Sequence, residues 1–227
     1  MFRFHPLLIA ICAVAAYGAA DDPLQATFSK MDAVSASFKG LKADMRRVTH
    51  LDVISDDTVE NGTVLVRRTN PKDLKMLIQI SSPPNPLKAL ITGGKVQVYY
   101  PNSNTVQEYE LGKAKSLRDK LMTLAFGSSS KDLMAYYKIS LGGQDKIGGQ
   151  SATRIELTPK DKDVAAYFTK IDLWISDATG ITLQQKMYQP GGDYTMATYS
   201  NVQLMNVPDS AVKLDVPSNA HWEKPLK

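Results

Sequence analysis

From Lys39 onward, apolar side chains recur at every second position in short segments, and turn-forming residues separate the segments. Leu74, Met76, Ile78 and Ile80 alternate in one segment, and Val96, Val98 and Tyr100 in another. Ile155 and Leu157 continue the pattern, as do Ile171, Leu173 and Ile175. Ile181, Leu183 and Met187 mark the next strand, and Tyr194, Met196, Val202 and Leu204 read as one face of the last long one. A period of two sends neighbouring side chains to opposite faces, so these segments spell a half-buried sheet. Asn61-Gly62, Gly93-Gly94, Asn102-Ser103-Asn104, Gly142-Gly143, Gly148-Gly149, Asp177-Ala178-Thr179-Gly180 and Gly191-Gly192 divide the runs. Gly and Asn accept the positive φ of tight hairpins, which predicts antiparallel pairing in sequence order. The count comes to about eleven strands, enough that an open sheet must curl.

Two stretches break the alternation. Leu24, Phe28, Met31, Val34 and Phe38 fall near helical spacing, which predicts an amphipathic helix over Asp22–Ser37 with Pro23 in its first turn. In Lys113–Phe126, Leu117, Leu121, Leu124 and Phe126 line one helical side before Gly127, and a short helical turn is expected over Lys131–Tyr136. Pro83-Pro84-Asn85-Pro86 reads as a bend, since Pro is excluded from sheet interiors. No fixed-period repeat or linker divides the chain. The expected fold class is α+β: a curled antiparallel sheet in one domain, residues 21–227, carrying an N-terminal helix and a central helical insert.

The first residues are expected to be an address. Arg3 and His5 precede the apolar run Leu7–Ala16, and Gly18, Ala19 and Ala20 follow. A basic start, a short apolar middle and a small-residue exit make a secretory signal over 1–20, too short to span a bilayer. Cys12 lies inside this segment, and Ile11 before it is not the small residue that a lipid-modified cysteine needs. The exported chain then has no cysteine and is held together by its core.

Much chemistry is excluded. The single Cys and three His rule out a disulfide framework and crowded zinc ligation. The 27 basic and 23 acidic residues are interspersed, so the net charge of +4 does not point to nucleic acid. Phosphate-binding loops, metalloprotease helices and nucleophile elbows are missing. Gly142–Gly149 resembles a phosphate loop but leads into no helix. His50 is a lone strand histidine, His221 sits beside Trp222 in a polar tail, and Asn61-Gly62-Thr63 is explained by a turn. The chain is not expected to be an enzyme or to need a cofactor or metal.

What remains is apolar surface. A curled sheet with a helix laid on it either fills completely or leaves a hollow. Its candidate inner residues include the adaptable Met76, Met187 and Met196, a residue type common on promiscuous apolar surfaces. Charged residues interleave on the other face, so the sheet is not a membrane barrel.

These elements carry a resemblance. Phe28–Phe38, Gly62-Thr63-Val64-Leu65-Val66-Arg67-Arg68, Pro83–Lys95, Val98-Tyr99-Tyr100-Pro101-Asn102, Val106-Gln107-Glu108 and the closing Val216-Pro217 stand in an order similar to the LolA outer-membrane lipoprotein carrier family. The chain departs from that pattern at Thr69-Asn70, which precedes Pro71, and at Leu74-Lys75-Met76, which replaces aromatic residues. The resemblance implies a half-open barrel with helices as a lid over an apolar cavity. It implies a monomeric periplasmic carrier that takes acylated lipoproteins from an inner-membrane donor to an outer-membrane acceptor, touching membranes only transiently. Carriage of free lipids or glycolipids, and a lipid- or lipoprotein-sensing module, are the alternatives. The cavity and lid would be lined by Phe28, Met31, Met76, Ile78, Val96, Val98, Leu121, Leu124, Leu173, Ile175, Leu183, Met187 and Met196, with Arg68 controlling the lid.

Overall fold

The computed structural model describes residues 22–70, 73–110, 124 and 126–224. The expected signal segment and most of the central insert, including Leu117 and Leu121, lie outside them. Helix α1 spans Pro23–Ser37, with the Asp22 side chain accepting the Leu24 N–H at its start and Pro23 in its first turn. Eleven strands follow: β1 Gly40–Leu51, β2 Asp56–Asn70, β3 Asp73–Ile80, β4 Leu87–Ile91, β5 Lys95–Tyr100, β6 Thr105–Glu110, β7 Tyr137–Ile147, β8 Gln150–Pro159, β9 Lys170–Ser176, β10 Thr182–Tyr188 and β11 Tyr194–Leu204. Between them lie α2 (Ser130–Tyr136) and α3 (Lys162–Ala165), and β12 (His221–Glu223) is the last described element.

All the described strands join one unclosed sheet in the order β12-β6-β5-β4-β3-β2-β1-β11-β10-β9-β8-β7. Two meanders, β1–β6 and β7–β11, are thus fused by the long β1–β11 pairing, which runs from Leu41↔Leu204 to His50↔Tyr194. The expected curled half-barrel with helices against one face is the fold found. It is mixed rather than wholly antiparallel, because the short polar β12 adds parallel to β6. Three residues without alternation gave no strand signal.

Two expected turns lie inside strands. Asn61-Gly62 belongs to β2, and Gly62 opposes Met45 on one side and Ile80 on the other. A side chain at Gly62 would collide with the Gln79 carbonyl, so this glycine permits close backbone approach and does not form a turn. The β1–β2 hairpin turns instead at Asp52–Ser55, where Ser55 has a φ of 50°. Gly142-Gly143 forms a bulge in β7, where the register shifts between Leu141 and Gly143 and Gly143 has a φ of 118°.

Among the described residues, four apolar clusters hold the sheet. On the helix-bearing inner face, Phe28, Met31, Leu133 and Val164 of the three helices pack with Leu124, Tyr137, Ile155, Leu157, Ile171, Leu173 and Ile175. Beside them, Phe38, Leu41, Ala43, Met45, Val64, Val66 and Phe126 form a second inner cluster, with Phe126 edge-on to Tyr199 at 4.6 Å. On the outer face, Leu77 packs with Val207 and Val212 of the C-terminal segment. Ala152, Trp174 and Leu183 make a small outer cluster near β9.

Candidate functional site

The inner face divides into a sealed half and a less covered half. Over β8–β9, Ile155, Leu157 and Ile171 are fully buried and Leu173 and Ile175 almost so. The gap among Met31, Val34, Leu124, Leu133 and Leu173 measures about 10 Å³, barely room for one water. Phe28, Met31, Leu124, Leu173 and Ile175 are therefore mutual packing partners, and Met187 packs at the margin of the same cluster.

Over β3–β5 the pattern differs. Met76 opposes Ile91, which opposes Val96, and Ile78 opposes Ala89, which opposes Val98. Directly opposed residues point to one side of a sheet, so these six form two apolar rows on the inner face. Each is only partly buried. Four of the six were named from alternation. Ala89 and Ile91 were missed, although Leu87-Lys88-Ala89-Leu90-Ile91 carries the apolar signal, because a continuous run does not announce which face is which.

Two expected cavity residues lie on the other side. Leu183 sits with Trp174 and Ala152 on the outer face, because a register shift between Thr182 and Gln184 turns it over. Met196 opposes Lys186 and Val48, while Thr195 opposes the inner-facing Met187, so Met196 also faces outward. A second irregularity explains the misreading: the β1–β11 register slips between Lys42 and Asp44, and Asn201 takes a φ of 50°. Tyr194 and Met196 precede this bulge and Val202 and Leu204 follow it, so the four do not share a face. His50 is likewise on the outer face, with Nδ1 2.7 Å from Asp57 and its ring stacked on Tyr194 at 4.7 Å.

Arg68, near the end of β2, reaches the joint between the helices and the sheet. Its guanidinium lies 5.3 Å from the Phe38 ring centre. Its Nε is buried and makes no hydrogen bond among the described residues. Burial lowers its pKa from the usual arginine value, and the nearby Asp132 carboxylate partly opposes that shift. Asp132 closes the capping box of α2 with Ser129. The Ser130 N–H and hydroxyl donate to Asp32 of α1 at 2.7 and 2.8 Å. Gly127, at a φ of 75°, leaves space that Phe38 occupies; any side chain there would strike the ring. Phe38, Arg68, Gly127, Asp32 and Ser130 thus form one clasp holding the helices to the sheet. Spacing did not signal it, because its members lie far apart in the chain.

The arrangement offers apolar contact and little reactive chemistry. Among the described residues, no group of three or more His, Cys, Asp or Glu could hold a metal ion, and no helix is long and apolar enough to cross a membrane.

An uncharacterized conserved protein from Thermus thermophilus has a similar structure, with TM-score 0.56 and 11% identity over 90% of this chain and 100% of that one. MucB is similar with TM-score 0.52 and 12% identity over 87% of this chain, which spans 64% of MucB. A LolA superfamily protein from Nitrosomonas europaea aligns over 84% of this chain and 97% of its own, with TM-score 0.42 and 14% identity. At such identities the likeness is one of fold. No curated protein matches the sequence. A family model described as that of an uncharacterized protein matches residues 58–215, and the chain belongs to that family.

Proposed function

We propose that the chain is a periplasmic carrier that shields the acyl chains of lipoproteins on its inner face and passes them toward the outer membrane. The observation that carries this reading is the pair of apolar rows Met76–Ile91–Val96 and Ile78–Ala89–Val98, each residue only partly buried. Burying acyl chain is worth about 0.8 kcal/mol per CH₂, so one sixteen-carbon chain gains on the order of 12 kcal/mol before costs. That favours capture, and release then needs a competitor. The closely packed α1 half supplies one: a lid that closes well on its own core lowers the net affinity for cargo. Arg68 suits lid control because it is a half-buried charge at the clasp. Carrier action in this scheme requires neither bond making nor a cofactor. One domain over residues 21–227, export by the 1–20 segment and a monomeric state belong to the same proposal, as do an inner-membrane donor and an outer-membrane acceptor.

Mass spectrometry of lipids extracted from purified protein tests the reading. Acylated peptide should be recovered, and the recovery should fall sharply in Val98→Asp while the folded state persists by circular dichroism. Recovery of free lipid alone would replace the lipoprotein cargo with lipid. Unchanged recovery in Val98→Asp would refute the inner-face site.

A further inference from the structure

A hollow lies on the outer face, across the sheet from the rows proposed to hold acyl chains. It measures about 420 Å³, within the roughly 300–1,000 Å³ of small-molecule sites. Its floor is β1–β3, where Lys42 opposes Leu65 and Leu65 opposes Leu77, and where Thr63 opposes Gln79 in the next row. Its wall is the C-terminal segment, through Met205, Val207, Pro208 and Ala211. The segment is strapped down at one end. Asp209 bonds Lys75 at 2.6 Å and lies 3.5 Å from Arg67, which also donates to the Val207 carbonyl. Thr63, Gln79 and the exposed Lys42 form the polar side, while Leu65, Leu77, Val207 and Ala211 form the apolar side.

A slot with apolar depth and a cation, an amide and a hydroxyl along one margin suits a molecule of the same division. We propose that this hollow is a second binding site, taking a single-chain amphiphile such as a fatty acid, tail beneath the C-terminal strap and carboxylate at Lys42, Thr63 and Gln79. The two sites are separated by the thickness of the sheet, so occupancy of one does not require the other. The apolar strap segment thereby has a role besides covering Leu77 and Leu90.

The test is methyl NMR of delipidated full-length protein titrated in parallel with decanoate and with a lysophospholipid. Saturable shifts at Val207, Ala211 and Leu77 and intermolecular contacts from these methyls to the chain are expected. Ala211→Trp, which plugs the slot from the strap side, should abolish those shifts and leave those at Val96 and Val98 in place. Lys42→Gln, a surface change that leaves the hollow open, should weaken decanoate by up to about fivefold. Response to decanoate alone identifies a free fatty acid, and response to the lysophospholipid alone identifies a chain presented by a larger head; either supports the site. Absence of contacts to Val207, Ala211 and Leu77 with both probes, or shifts there indifferent to both substitutions, overturns it.

Discussion

Replacing Asp32 by Ala removes the acceptor for both polar groups of Ser130. The contact ties α1 to the start of α2 across 98 residues of sequence. Ser130 is 4% exposed, so its amide and hydroxyl have poor access to water. A hydrogen bond to a charged group contributes about 1.5–3 kcal/mol net, and stranding a buried donor costs about 1–3 kcal/mol. Asp32 itself faces solvent, and a hydroxyl rotates to other acceptors, which places the expected loss at about 2 kcal/mol. The loss falls on local opening of α2 and the 126–130 segment, because the sheet has its own backbone ladders and core. Native-state hydrogen exchange measures it. Leu133 N–H, bonded to the Ser129 carbonyl, should exchange about thirtyfold faster, since 1.4 kcal/mol is a tenfold change. The strand amides of Ile155 and Leu173 should be unaffected. Unchanged exchange at Leu133, or equal acceleration in β8 and β9, would refute the idea that this contact is a local latch.

Other outcomes follow from single sites. Gly62→Val drives a branched side chain against the Gln79 carbonyl and should lower Tm by roughly 6–12 °C, equivalent to about 3 kcal/mol at this chain length, as read by thermal circular dichroism. Burial, then the Asp172 charge and the 3.0 Å bond to it, raise the Tyr188 hydroxyl to about 12, so the fold favours the neutral phenol. Its contribution is therefore intact below about pH 10 and lost as pH rises toward 12; Tyr188→Phe should make that slope shallower in urea-unfolding curves, while Tyr199 and Tyr100, whose hydroxyls burial also raises, keep the rest. Arg68→Met keeps contact with Phe38 and discards a desolvated charge; Tm should hold or rise, and uptake of a fluorescent acyl chain should slow, whereas a fall in Tm would show that the charge itself holds the clasp.

The sequence alone determined many of the elements. Period-two alternation marked β3, β5, β8, β9, β10 and β11 but not the long β1, β2 and β7, and near-helical spacing with Pro23 at the start marked α1 to within one residue. The Gly-Gly hairpins at Gly93-Gly94, Gly148-Gly149 and Gly191-Gly192 divide strands as expected. These signals are local, so one chain segment carries each of them. Tertiary structure decided which face each side chain reached. The bulges near Asn201 and Thr182 each shift a period-two pattern by one place, sending Met196 and Leu183 outward while the amino-acid pattern is unchanged. It also turned Gly62 from a supposed turn into a point of strand contact, and assembled Phe38, Arg68 and Asp32–Ser130 from separate parts of the chain. Such contacts depend on the pairing of β1 with β11, whose partners are about 150 residues apart and leave no periodic trace.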